Sequence, residues 1–211
     1  MNAFRAPERY QFVNKRDLQK QATREKIKGV AFDLLMTEGP DKTTSRRIAQ
    51  VAGIASGTVF AHFPEMHLLY RELLHERLDA VLAAQEIPEH ATASEFLHIN
   101  ARALYGFYCD HWYLAKVVLK ETLFDQGFFA KQVQLFVQQL QGRLIRQYPE
   151  LGDSVCLGLA TALFSQYFQV LLSGLSEEPE PQAPDRWLQQ LVALNEQILP
   201  SPLQYGVHRQ H

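Results

Sequence analysis

The chain has 211 residues, enough to bury a core in one large domain or two small ones. Its formal net charge of −2 hides an asymmetry: residues 1–63 hold eleven Lys and Arg against six Asp and Glu, and residues 64–211 hold ten against seventeen. A basic head before an acidic body predicts an anion-binding module joined to a part that should avoid the anion, unless the clustering is chance.

Helical spacing recurs along the chain and strand signals are scarce. From about Lys20 to Glu38 the apolar set Ile27, Val30, Ala31, Leu34 and Leu35 keeps the period of one helix face. Gly39 suits a C-terminal cap there, and Pro40 cannot continue the helix. Thr44 then caps a second, short helix carrying Ile48, Ala49 and Val51, with Gly53 supplying the turn into a third at 56–63. Pro64 suits the first turn of a fourth helix running to about Gln85, where "IPEH" breaks the chain. Further helices are predicted near 92–110, 112–124, 128–147, 153–174 and 185–199. "SEEPEPQAPD" reads as an acidic, proline-rich linker, and 200–211 as a mobile tail.

Cys109 and Cys156 stand far apart without CxxC spacing, which argues against a disulfide framework or a structural zinc site and for reduced thiols. The opening "MNAFRAPERYQFVNKR" lacks the apolar centre of a signal peptide, and no apolar run is expected to span a membrane. A cytoplasmic protein with no membrane partner is therefore expected.

The stretch "TREKIKGVAFDLLMTEGPDKTTSRRIAQVAGIASGTVFAHFPEMHLLYREL" resembles the DNA-binding region of TetR-family transcriptional regulators. The resemblance covers about fifty residues, through Ala31, Phe32, Gly39, Thr44, Ile48, Ala49, Ala52, Gly53, Gly57, Val59, His62, Phe63 and Leu69. It implies an all-α fold: a three-helix head with a helix-turn-helix, at 1–63 with its basic extension, and a larger helical effector-binding and dimerisation domain at 64–199. It also implies a homodimer on a palindromic operator in double-stranded DNA, a repressor's role, and a small molecule that releases the DNA. The sequence departs from the family pattern at Ala55, Ser56, Phe60 and Met66, where Ser, Lys, Tyr and Lys are usual. Those changes leave open a helical ligand-binding or interaction module with weak or lost DNA binding.

The recognition helix "SGTVFAHF" contains no Lys or Arg. Helical steps put Val59, Phe60 and Phe63 in one arc, expected to face the first two helices, and Gly57, Thr58, Ala61 and His62 in the other. That outer arc is small enough to enter the major groove closely, with Thr58 at a base edge or thymine methyl. His62 serves packing, capping or a phosphate contact. Positive charge must come from Lys42, Arg46 and Arg47 around the second helix, and from Lys15, Arg16, Lys20 and Arg24. Lys26 and Lys28 read as solvated charge. The expected DNA-binding set is Lys42, Thr44, Arg46, Arg47, Ser56, Gly57, Thr58, Phe60, Ala61 and His62.

In the acidic body, helix 92–110 carries apolar stripes through Phe96, Ile99, Ala103 and Phe107 and through Leu97, Ala101, Leu104 and Tyr108, with a polar edge of His98, Arg102 and Tyr105. Aromatic density there either lines a cavity for a small apolar or aromatic effector or forms ordinary core. The expected ligand-binding set is Arg102, Leu104, Phe107, Tyr108, Trp112, Phe128 and Phe164. The last two long helices carry more apolar stripes than one domain needs, so a homodimer is expected through Leu163, Tyr167, Phe168, Leu171, Trp187, Leu191, Leu194 and Ile198. No GxSxG, P-loop or HExxH motif is present, so neither catalysis, a metal nor a cofactor is expected.

Overall fold

A computed structural model describes residues 14–122, 127 and 129–199. Among them every regular element is a helix, as expected from the spacing. The chain divides into two compact units, Met1–Leu69 and Tyr70–His211. The residues before Asn14, the tail from Pro200, and Phe124 and Phe128 lie outside the described residues.

In the first unit, α1 spans Lys15–Glu38 and begins five residues earlier than its apolar period suggests. The reason is local: the Asn14 side chain accepts a hydrogen bond from the Arg16 backbone N–H at 3.1 Å, capping a polar first turn. Ile27, Ala31, Leu34 and Leu35 are buried. Lys28 is buried with them, its Nζ 2.8 Å from a Glu25 carboxylate oxygen, so it is not the solvated charge expected.

Helix α2, Ser45–Ala52, starts where Thr44 Oγ1 accepts from Arg47 N–H at 3.2 Å. It ends at Gly53, whose φ of 64° and ψ of 38° lie in the left-handed region that a side chain disfavours. Helix α3 is Ser56–His62, and its cap position, Ala55, supplies no side-chain hydrogen bond. Ile48, Ala49 and Ala52 from α2 and Val59 and Phe63 from α3 and its end close this core. Each large side chain buried this way contributes about 1.5–3 kcal/mol. Helix α4, Met66–Ala83, begins two residues after Pro64 rather than at it, with the Ser45 hydroxyl 3.2 Å from Met66 Sδ.

The second unit holds α5 (Ala93–Asp110), α6 (Trp112–Thr122), α7 (Ala130–Gln147), α8 (Gly152–Gly174) and α9 (Ala183–Ile198). A complete capping box opens α5: Thr92 accepts from Glu95 N–H, and the Glu95 carboxylate accepts from Thr92 N–H. The last residues of the expected linker already belong to α9, because Pro184 is tolerated in a first helical turn. Helices α5, α7, α8 and α9 pack on one another around Phe96, Leu97, Tyr105, Leu140, Leu144, Leu163 and Leu191.

Three expectations need correction here. Tyr105 is not on a polar edge: it is fully buried, its hydroxyl donates to the Tyr167 carbonyl at 3.0 Å, and Trp187 meets its ring edge-on. Leu163, Tyr167, Leu171, Trp187 and Leu191 are buried inside their own unit and offer no surface to a second copy. Two apolar stripes on one helix do not say which stripe its own domain takes, and α7 and α9 take this one. Finally, α8 is long and apolar enough to cross a membrane by length and composition, contrary to the expectation that no segment would be.

Candidate nucleic-acid interface and ligand cavity

The outer surface of α3 is built by exclusion. Val59 and Phe63 turn inward, which leaves Ser56, Gly57 and Ala61 exposed and Thr58 and His62 half-buried. Phe60 departs from expectation: it does not join the inner arc but is 63% exposed, because Val59 and Phe63 already fill the space against α1 and α2. Seven residues make fewer than two full turns of surface. What they present is small, apart from one protruding benzyl ring.

Arg24 of α1 holds the end of this helix in place. Its guanidinium lies 4.0 Å from the centre of the Phe63 ring and donates to the His62 carbonyl at 2.9 Å. Both contacts favour the cation, by about 0.5–1 kcal/mol for the ring and about 1.5–3 for the charged hydrogen bond. Arg24 therefore positions α3 and is not spare charge for phosphate. Partial burial, with Arg24 and Lys20 nearby, pushes the His62 imidazole below its usual value, so it is neutral at physiological pH.

The charges on α2 divide in two. Arg47 is committed to Glu38, with Nη2 to Oε1 at 2.7 Å and Nε to Oε2 at 3.4 Å, and also reaches Gln50 at 3.4 Å. That partner raises the Arg47 value and lowers the Glu38 value. Sequence reasoning missed the pair because Glu38 and Arg47 belong to different helices. Arg46 is exposed and makes no ion pair among the described residues, as is true of Lys42. Thr44 is exposed but has its oxygen engaged as the cap. On the other side of α3, a polar groove is lined by Asn14, Arg16, Asp17, Gln19, Lys20, Thr23, Thr58 and His62. The structure thus brings Thr58 and His62 together with Arg16 and Lys20 along one open channel.

The second unit contains a cavity of about 190 Å³. Leu104, Tyr108 and Phe164 line it as expected from sequence, joined by Phe136 and Phe129 of the same aromatic run. Arg102, Phe107 and Trp112 do not. Arg102 is exposed; Phe107 stacks on His111 with ring centres 4.5 Å apart; Trp112 donates from Nε1 to the Glu177 carbonyl at 3.0 Å. Lys116 sits 4.4 Å over the Trp112 ring and donates to the Ser176 carbonyl, so this corner ties down the acidic linker. Tyr167, Phe168 and Leu171, expected at a dimer interface, line the cavity instead.

Sequence reasoning missed His75, Leu78, Asp79 and Leu82, which α4 contributes to the same wall. Their i, i+3 and i, i+4 spacing was the available signal. Inside, burial pushes the Tyr108 value up to about 12 and the Tyr167 value well above its usual range. His98 sits away from the cavity, 2.9 Å from Asn195 of α9 and 3.5 Å from Ser94, and burial lowers its value. Neither thiol is activated: burial beside Asp110 pushes Cys109 up to about 11, and buried Cys156 is also raised.

The sequence profile described as "Bacterial regulatory proteins, tetR family" matches residues 28–73, a span containing α2 and α3 entire. That match covers the helix-turn-helix region of the chain. No curated protein sequence matches it. Solved structures with this fold include a TetR regulator from Streptomyces coelicolor, with a TM-score of 0.63 at 15% identity, covering 82% of this chain and 96% of that one. A second is Thermus thermophilus FadR, a TetR-family repressor solved with lauroyl-CoA, with a TM-score of 0.57 at 22% identity, covering 84% and 96%. A third is BioQ with its double-stranded DNA operator, with a TM-score of 0.55 at 17% identity, covering 82% and 98%.

Within this TetR-like head the four departures from the family pattern have different consequences. Ala55 removes a helix cap, and Met66 replaces a cation with a sulfur packed on Ser45. Ser56 and Phe60 are exposed, so their substitution changes the surface and leaves the fold alone.

Proposed function

We propose that the protein is a ligand-responsive transcriptional regulator, a repressor that binds a palindromic operator as a homodimer and releases it when a small apolar or aromatic molecule fills the cavity. The observation that carries this reading is the outward face of α3: small and exposed, with Lys20 and Arg16 along the groove beside Thr58 and His62, and with Arg46 and Lys42 exposed on and just before the preceding helix. A helix without its own cations can press close to base edges while its neighbours hold phosphates. In this reading the DNA-binding surface is Lys42, Arg46, Ser56, Gly57, Thr58, Phe60, Ala61 and His62, with Arg47 and Thr44 holding α2 in shape.

The head is residues 1–63 and the effector-binding and dimerisation domain residues 64–199; the protein acts in the cytoplasm, where the DNA is. Dimerisation uses the outer faces of α8 and α9. Leu157, Thr161 and Ser165 follow one another at i, i+4 on exposed α8, and only a third of that helix's most apolar stretch is buried in the monomer. A second copy would cover it, giving a four-helix contact about a two-fold axis.

The deciding experiment is selection of bound fragments from randomised DNA at stated salt, followed by gel shifts on the winners and on the DNA upstream of the protein's own coding sequence. Enrichment of a palindrome with half-sites about one helical turn apart supports the reading. Recovery of no sequence preference at 50 mM salt would leave a helical ligand-binding module.

A further inference from the structure

We propose that the cavity is selective for lipophilic cations: one or two aromatic rings bearing a single amine or quaternary ammonium group. This rests on reading the cavity as the effector site and names the class of effector.

The wall is aromatic on most sides, through Tyr108, Phe129, Phe136, Phe164, Tyr167 and Phe168. Ring faces carry negative electrostatic potential and attract a desolvated cation. Among the described residues, no Lys or Arg lines the cavity, and its one acid is Asp79. Asp79 lies one turn beyond His75 on the same face of α4, and it is exposed, which puts its carboxylate at the mouth while the rings hold the interior.

No side chain of the wall carries the fixed positive charge that would welcome an anion. Its polar groups are the Tyr108 and Tyr167 hydroxyls, the His75 imidazole and the Gln132 amide, beside the Asp79 carboxylate. A carboxylate or phosphate entering here would lose its water beside Asp79 and gain no Lys or Arg in return, which is unfavourable. A neutral ring gains burial alone. A cation gains burial, the ring faces and Asp79. Size sets the frame: a dry engineered cavity of about 150 Å³ accepts benzene, so about 190 Å³ suits one or two rings.

The test uses the full chain and three probes on one frame: 2-naphthylmethylamine, 2-naphthylmethanol and 2-naphthoate, titrated calorimetrically at pH 7.5 and 150 mM salt. The amine is expected to bind about tenfold more tightly than the alcohol, and the carboxylate more weakly than either. Asp79→Asn should bring the amine down to the level of the alcohol. If the alcohol matches or exceeds the amine in the wild type, charge selection is wrong while the effector cavity stands. A preference for the amine that survives Asp79→Asn overturns the assignment of Asp79. If none of the three binds, the effector-site reading and this proposal fall together.

Discussion

Phe60 shows how much one side chain can change the reading of a surface. An exposed benzyl ring on a recognition helix adds apolar reach without a donor, so it can meet a thymine methyl but cannot hold a phosphate. Phe60→Tyr should cost no stability, because the new hydroxyl enters water and leaves no buried polar group unpaired. It should tighten specific and non-specific DNA binding together, by about 1 kcal/mol. Fluorescence titrations on selected and scrambled duplexes test this; a fall in melting temperature would mean the ring is buried after all. The two arginines of α2 make a second contrast at this scale. Arg46→Ala should lower the magnitude of the salt slope by about one per subunit. Arg47→Ala should change it less, since Glu38 already neutralises that charge, and Glu38→Gln should steepen it by freeing Arg47. Equal slopes for the two alanine variants would show that Arg47 exchanges Glu38 for phosphate on binding.

Among the helices, α8 and α9 meet closely at one glycine. Gly174 ends α8 directly beneath Trp187, and a Cβ added there would fall inside the indole. The ring cannot easily move, being buried and held edge-on against Tyr105. Alanine would ordinarily gain about 0.5–1 kcal/mol over glycine inside a helix. Overpacking costs about 1–3 kcal/mol, so the clash should win. Gly174→Ala is therefore expected to lower the urea midpoint with little change in the slope of the transition. An unchanged or raised midpoint would mean that the indole repacks freely. This glycine carried no signal in the sequence, because its neighbour is thirteen residues away and on another helix.

For the molecule as a whole, the open question is what covers α8. Leu157 is 45% exposed and Val155 51%, on a helix whose other stripe is fully occupied by its own domain. Leu157→Glu with Val155→Glu should yield folded monomers by light scattering, whereas Leu163→Glu should unfold the protein, since Leu163 is fully buried. A dimer that persists in the double variant would move the interface elsewhere. A buried charge and a broken interface give different outcomes, and only the burial pattern says which leucine does which.

The sequence by itself determined the helical fold, the head and its caps. Helix starts depend on residues three or four apart, such as Thr44 with Arg47 or Thr92 with Glu95, and so does the turn at Gly53. The apolar period likewise fixed Ile48, Val59 and Leu163 as inward residues of some surface. Tertiary structure decided which surface. Phe60 and Leu163 are both apolar and helical, yet one faces solvent and one the core, because the space beside each is set by other helices. The same holds for charge and for the cavity: Arg47 is paired by a residue nine positions away across a turn, and Asp79 joins aromatics from three other helices and the turn before α7. Local hydrogen bonding and period are written in neighbouring residues. Partner choice depends on distances that exist only once the helices have packed.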